Sequence, residues 1–171
     1  VGFELTNSVV KKIGQAIGTI ALSQKQKTIC VGYDGRLSSP SLSETLIDGL
    51  ISTGINVIDI GLCTTPMLYF SNFNEETGTG VMITGSHNPP EYNGFKIVIN
   101  KKTLSSNDIQ NLYQIILDSN FLTGEGNKKS LSIKSQYLDE ISDSIKLKRP
   151  MKVAIDCGNG AAGVCAEDLF N

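Results

Sequence analysis

Ser86 and His87 stand side by side in the run Thr84-Gly85-Ser86-His87-Asn88-Pro89-Pro90, and Lys96 follows in the apolar stretch GFKIVIN (94–100). A hydroxyl, an imidazole and an amine are the groups from which an activated nucleophile and its base are assembled. His87 is the only histidine in the chain. Gly85 frees the backbone to turn, while Pro89 and Pro90 stiffen the far half of the loop and bias Asn88 towards an extended conformation. The loop leaves the end of an apolar strand, where α/β sheets commonly bind ligands. Lys96 falls at the beginning of the returning strand, so the three groups are expected to converge.

Several familiar arrangements are excluded. G-x-S-x-G fails, because no glycine stands two residues after Ser86. Adjacent Ser and His side chains do not suit a Ser-His-Asp relay. No Gly-Lys-Ser/Thr closes a phosphate-cradling P-loop. A Pro-stiffened polar turn, with Ser86 and Asn88 bonded to nearby backbone, remains the alternative reading on pattern alone. By the same measure Lys96 reads as a solvated edge charge and His87 as a surface residue.

The chain has 171 residues, 40% of them hydrophobic, which suits a packed core. Its net charge of −2 offers no basic surplus for nucleic acid. No apolar run approaches the ~20 residues of a membrane span, so no membrane partner is expected. The N-terminal stretch shows no signal peptide, and the missing initiator Met suggests a start inside a longer chain. Cys30, Cys63, Cys157 and Cys165 include no C-x-x-C pair, which predicts small buried reduced thiols in a cytoplasmic protein. Cys30 and Cys157 sit in strand-like runs.

The elements that must position Ser86 follow from periodicity. Apolar residues from Val9 to Ala21 keep a helical period over 7–23, capped by Thr6 or Asn7. TICVGYD (28–34) reads as a strand. Ser39-Pro40 opens a second helix that ends before Gly54. INVIDIG (55–61) is a strand, and Thr65-Pro66 opens a third helix. GVMIT (80–84) has no polar face before Thr84, which predicts a strand covered on both sides. GFKIVIN is the next strand, and Ser106 is the expected cap of a helix carrying Ile109, Leu112 and Ile116. FLTGEGNKKS (121–130) reads as a loop, and a helix is expected after it over 136–145. The alternation predicts an α/β fold, a layered, largely parallel or mixed sheet flanked by helices. One domain is expected over 1–147. After the basic, proline-ended linker at 146–150, residues 148–171 should open a second, similar α/β domain with the strand-turn-helix MKVAIDCGNGAAG.

TGSHNPPEYNGFK resembles the active-site segment of the α-D-phosphohexomutases, in their phosphomannomutase/phosphoglucomutase branch. VGYDGRLSSP, GLCTTPMLYFS and VAIDCGNGAAG resemble further segments of that family, in the same order and at similar spacing. The phosphoglucosamine mutases match less well, since an Asn-Gly-Ile-Lys type segment usually stands where this chain has Asn93-Gly94-Phe95-Lys96. The family usually carries Ala before the serine, so Gly85 is a departure expected to loosen the loop.

The resemblance implies that Ser86 carries a phosphoryl group, that Lys96 is general base and acid, and that His87 assists. It implies a magnesium ion on an oxygen of the phosphoserine, hexose phosphate (mannose or glucose) as substrate and a hexose 1,6-bisphosphate intermediate. Arg36 is expected to position phosphate, to hold a domain contact, or to pair with Asp34 or another neighbour, and Asn88 to bond the loop backbone or reach a ligand. The remaining domains of the same enzyme are the implied partners. No D-x-D-x-D metal loop occurs in this sequence, so the chain is expected to be an N-terminal part, inactive alone. A stand-alone sugar-phosphate or dinucleotide-binding module is the rival reading. Gly158-Asn159-Gly160-Ala161-Ala162-Gly163 formally matches G-x-G-x-x-G, a weak signal by itself.

Overall fold

A computed structural model describes residues 4–75 and 77–170; Val1–Phe3, Glu76 and Asn171 lie outside them. Six helices and six strands occur among the described residues, with one 3₁₀ turn: α1 (Asn7–Ser23), β1 (Thr28–Tyr33), α2 (Ser39–Ile51), β2 (Asn56–Leu62), α3 (Thr65–Asn74), β3 (Gly80–Ile83), β4 (Phe95–Ile99), β5 (Lys102–Thr103), α4 (Ser106–Leu117), β6 (Lys128–Ser130), α5 (Lys134–Ser144), the 3₁₀ turn Ala161–Val164 and α6 (Ala166–Phe170).

The sheet runs β5-β4-β3-β1-β2-β6. β2, β1 and β3 are parallel to one another, and β6 is parallel to β2. β4 and β5 run antiparallel, which makes the sheet mixed as expected. All of β3 is buried, in accord with its lack of a polar face.

Two apolar layers enclose the sheet. On one face Val31, Val57, Val81 and Ile83 pack with Val10, Ile17, Leu46 and Leu50 of α1 and α2, and with Leu112 of α4. On the other, Cys30, Ile58, Ile60 and Met82 pack with Met67 and Leu68 of α3, and with Ile133. Phe70 and Tyr137 meet edge to face, ring centroids 5.4 Å apart, and join α3 to α5. Side chains alternate across each strand, so one strand serves both layers.

The helix starts follow local chemistry. Thr6 Oγ1 accepts the Val9 amide, and Thr64 Oγ1 accepts that of Met67. The cap of α4 is Ser105 rather than Ser106, because Asp108 reaches back to the Ser105 amide at 3.1 Å.

Two segments differ from expectation. Residues 121–130 are not simply a loop. Gly124 bridges Thr53, and β6 adds to the sheet edge with Lys128 Nζ 2.8 Å from Asp59 Oδ2. Three polar residues carry no periodicity, so this strand is made by its neighbour. The strand expected at 151–157 is not formed. Met151, Val153 and Ile155 are exposed and no described strand pairs with them, so their backbone groups lack a ladder. Cys157 is accordingly half-buried outside a strand, whereas the other three cysteines are buried; all four are free.

Candidate functional site

Parallel strands bring their C-terminal ends to one edge of the sheet. Asp34 follows β1, Thr64 follows β2, and Thr84 follows β3. A cleft of about 590 Å³ opens there, lined by Asp34, Arg36, Thr64, Thr65, Ser86 and Asn88, with the turn Gly158–Ala161 across from them. This is where an open α/β sheet receives a ligand.

Ser86 is exposed on the rim and makes no side-chain hydrogen bond to a described residue. Its φ of 51° is left-handed, an uncommon state for serine. Its amide donates to Thr84 Oγ1 at 2.9 Å. The Asn88 amide donates to the Gly85 carbonyl and the Tyr92 amide to the Pro89 carbonyl, both at 3.0 Å. The Asn88 side chain has no partner among the described residues and lines the cleft, so it is available to a ligand. His87 is exposed beside Ser86 but is not among the residues lining the cleft.

Lys96 stands opposite Met82 in the antiparallel β3–β4 pair. Directly opposed residues project to the same face of a sheet, and Met82 lines the cleft. Lys96 is exposed, makes no ion pair with a described residue, and does not itself line the cleft. Of the three groups expected to converge, only Ser86 lines the cleft; Lys96 shares a sheet face with cleft-lining Met82, and His87 lies beside Ser86 in the chain.

Asp34 and Arg36 build the support. Asp34 Oδ1 accepts the Ser39 hydroxyl at 2.7 Å and the Arg36 amide at 3.1 Å; its Oδ2 accepts the Gly85 amide at 3.3 Å. Burial raises the Asp34 pKa, but hydrogen bonds from the Ser39 and Thr84 hydroxyls and the two backbone amides outweigh it and hold the carboxyl below its ordinary range. Asn93 Nδ2 donates to the hydroxyls of Ser38 and Ser39, at 3.0 and 2.9 Å, tying the far end of the loop to the start of α2.

The guanidinium of Arg36 faces Asp34 through Nε at 3.4 Å and donates from Nη1 and Nη2 to loop carbonyls. It does not have the free terminal donors that a phosphate-binding role would use. A Cβ on Gly85 would overlap it, with Nη1 only 2.7 Å away. Gly85 thus admits the guanidinium, and the loosening expected of this glycine is offset by the contacts it permits. Sequence reading missed Asp34 as a loop support, as well as Ser39, Thr84 and Asn93. The one available signal was an acid and a base, Asp34 and Arg36, closing an otherwise apolar strand.

The described residues include no group of three or more His, Cys, Asp or Glu side chains able to hold a metal. Among the described residues Asp34 is the only carboxylate lining the cleft, and its oxygens are engaged as above. The side chains of the cleft do not by themselves hold a magnesium ion, so an ion there would need ligands from elsewhere. Nor does Gly158–Gly163 have the strand-turn-helix setting of a dinucleotide fingerprint among the described residues, since 151–157 forms no strand before it and its second half is itself part of the 3₁₀ turn Ala161–Val164.

A cleft at the ends of parallel strands, with an exposed serine on a buttressed loop, defines an α/β domain whose candidate site lies at its strand ends. Residues 1–123 match the family model described as phosphoglucomutase/phosphomannomutase, alpha/beta/alpha domain I, and the chain belongs to that family. It is 45% identical over 170 residues to a phosphomannomutase/phosphoglucomutase of Pseudomonas aeruginosa, covering 99% of this chain and 37% of that protein. A phosphoglucomutase of Neisseria meningitidis is also 45% identical, over 172 residues, with the same coverage. A Burkholderia thailandensis phosphoglucomutase/phosphomannomutase family structure superposes with a TM-score of 0.94 at 39% identity, covering 99% of this chain and 39% of that one. The chain thus spans a little over a third of the length of these relatives. Among the described residues no helix is long and apolar enough to cross a membrane.

Proposed function

We propose that this chain supplies the phosphoryl carrier of a phosphohexomutase that interconverts hexose 6-phosphate and hexose 1-phosphate, of mannose, glucose or both. The observation that carries this reading is Ser86, an exposed hydroxyl without a side-chain partner among the described residues, at the rim of the strand-end cleft.

In the first half-reaction the bond between Ser86 Oγ and phosphorus breaks, and a bond forms from phosphorus to a sugar hydroxyl. The hydroxyl proton passes to the Lys96 amine, and the sugar leaves the step as a hexose 1,6-bisphosphate. After the intermediate turns round, its other phosphoryl group returns to Ser86 Oγ and Lys96 gives the proton back. Phosphoryl transfer needs chiefly alignment and charge neutralisation. A magnesium ion would supply the neutralisation, with a phosphoserine oxygen as one ligand. Within this reading His87 assists beside the serine and Asn88 reaches the phosphate. Residues beyond 147 and the further domains of the enzyme complete the cleft, in the cytoplasm.

The test is Ser86→Ala in the full-length protein. Loss of mutase turnover, together with loss of the phosphoryl group from the intact mass, is expected. Near-normal turnover in that variant would overturn the reading.

A further inference from the structure

The geometry points to Arg36 as the residue that positions Ser86, acting through the loop backbone rather than through the phosphate, and to Gly85 as the position that admits it. The inference rests on the phosphoryl-carrier reading of Ser86. Arg36 Nη1 donates to the carbonyls of Pro89 and Tyr92 at 2.6 and 3.0 Å, and Nη2 to those of Ser86 and Asn88 at 3.0 and 2.7 Å. Those four bonds use all four terminal N–H groups of the guanidinium. Nε faces Asp34 Oδ2 at 3.4 Å, so the fork is saturated from below and offers nothing to an anion.

The loop needs an external tie. Pro89 and Pro90 have no amide hydrogen, which leaves few backbone bonds of its own. Ser86 sits at φ 51°, a left-handed state that is disfavoured for an L-residue. It persists because both flanking peptide groups are held, the amide by Thr84 Oγ1 and the carbonyl by Arg36. Arg36 thereby fixes the direction in which the Ser86 side chain leaves the loop. A lysine cannot reproduce this, since one ammonium cannot span four carbonyls in a plane. Gly85 is the second half of the device. A Cβ there would occupy the space of the guanidinium. Asp34 locks the pair by receiving the Gly85 amide and facing Arg36 Nε on the same oxygen.

The experiment compares Arg36→Ala, Arg36→Lys, Gly85→Ala and the double Arg36→Ala/Gly85→Ala variant in the full-length protein, with Ser86→Ala alongside. Each of the first three is expected to lower kcat on the order of 10–100-fold through misalignment while KM stays within about twofold. The double variant should be no worse than Arg36→Ala, because alanine at 85 acts only by displacing the arginine. Millimolar guanidinium should restore part of the activity of Arg36→Ala and none of that of Gly85→Ala, whose seat is blocked. A KM rise at unchanged kcat would instead give Arg36 to the substrate phosphate and overturn the inference. So would multiplied losses in the double variant, or wild-type kcat in Arg36→Ala. Full turnover in Ser86→Ala would remove the phosphoryl-carrier reading itself. Loss in Ser86→Ala with an unimpaired Arg36→Ala would remove the clamp alone.

Discussion

Asp34 Oδ2 receives the amide of Gly85 at 3.3 Å, so the residue that follows β1 holds the residue that precedes Ser86. Its companion oxygen holds the Ser39 hydroxyl and the Arg36 amide. Because these bonds favour the ionised form, the folded-state pKa of Asp34 lies below that of the unfolded chain. The stability this group contributes is therefore complete above the unfolded value near 4 and is lost as pH falls through the folded value. Acid unfolding followed by circular dichroism should show this loss below about pH 4, and Asp34→Asn should remove it. The same variant should cost about 1.5–3 kcal/mol at neutral pH, the range for hydrogen bonds to a charged group. An unchanged acid limb in Asp34→Asn would mean that other carboxylates govern it.

Gly14 of α1 and Gly49 of α2 face each other, each leaving room for the other helix's backbone. A Cβ on either would lie 3.1 Å from the other glycine's Cα and would overlap a carbonyl oxygen, that of Leu46 for Gly14 and of Lys11 for Gly49. Gly49→Ala should destabilise the fold by about 1–3 kcal/mol, read as a lower denaturant midpoint, as overpacking costs elsewhere. Alanine's better helix propensity, worth up to about 1 kcal/mol, offsets only part of this. A raised midpoint would show that the two helices can part without loss.

Cys63 is buried, and burial pushes its thiol up to about 12; Cys30 and Cys165 are also buried and raised by burial. Thiolate is the reactive form. Iodoacetamide at pH 8 should modify Cys157 first in the native chain, and the other three only after unfolding. Peptide mass mapping checks the order, and early labelling of Cys63 would contradict it.

Lys96→Ala in the full-length protein should lower kcat by about 10²–10⁴-fold, the range for a lost general acid–base, with folding unchanged because the side chain is exposed and unpaired among the described residues. Wild-type turnover would move the proton-transfer role to another group.

Much of the frame was legible in the chain alone. The helical period of Val9 to Ala21, the unbroken apolar run of β3 and the Ser39-Pro40 start of α2 are local signals with local causes, and each reappears in place. The serine on its proline-stiffened loop was legible for the same reason. β6 was not, because Lys128–Ser130 have no apolar period and become a strand only against β2. The strand expected at 151–157 failed in the opposite way: its apolar residues are right, but a strand exists only when something pairs with it.

The sequence by itself determined which residues could do chemistry, the helices and strands from α1 to β4, and that Ser86 would leave the end of a buried strand. Only the tertiary structure decided that Arg36 reaches residues 50 to 56 positions away to hold the loop, and that Asp34 ties both to β1. The physical reason is that periodicity and capping act over a few residues. A fork of hydrogen bonds from one strand end to the next exists only once the parallel sheet has brought those ends together.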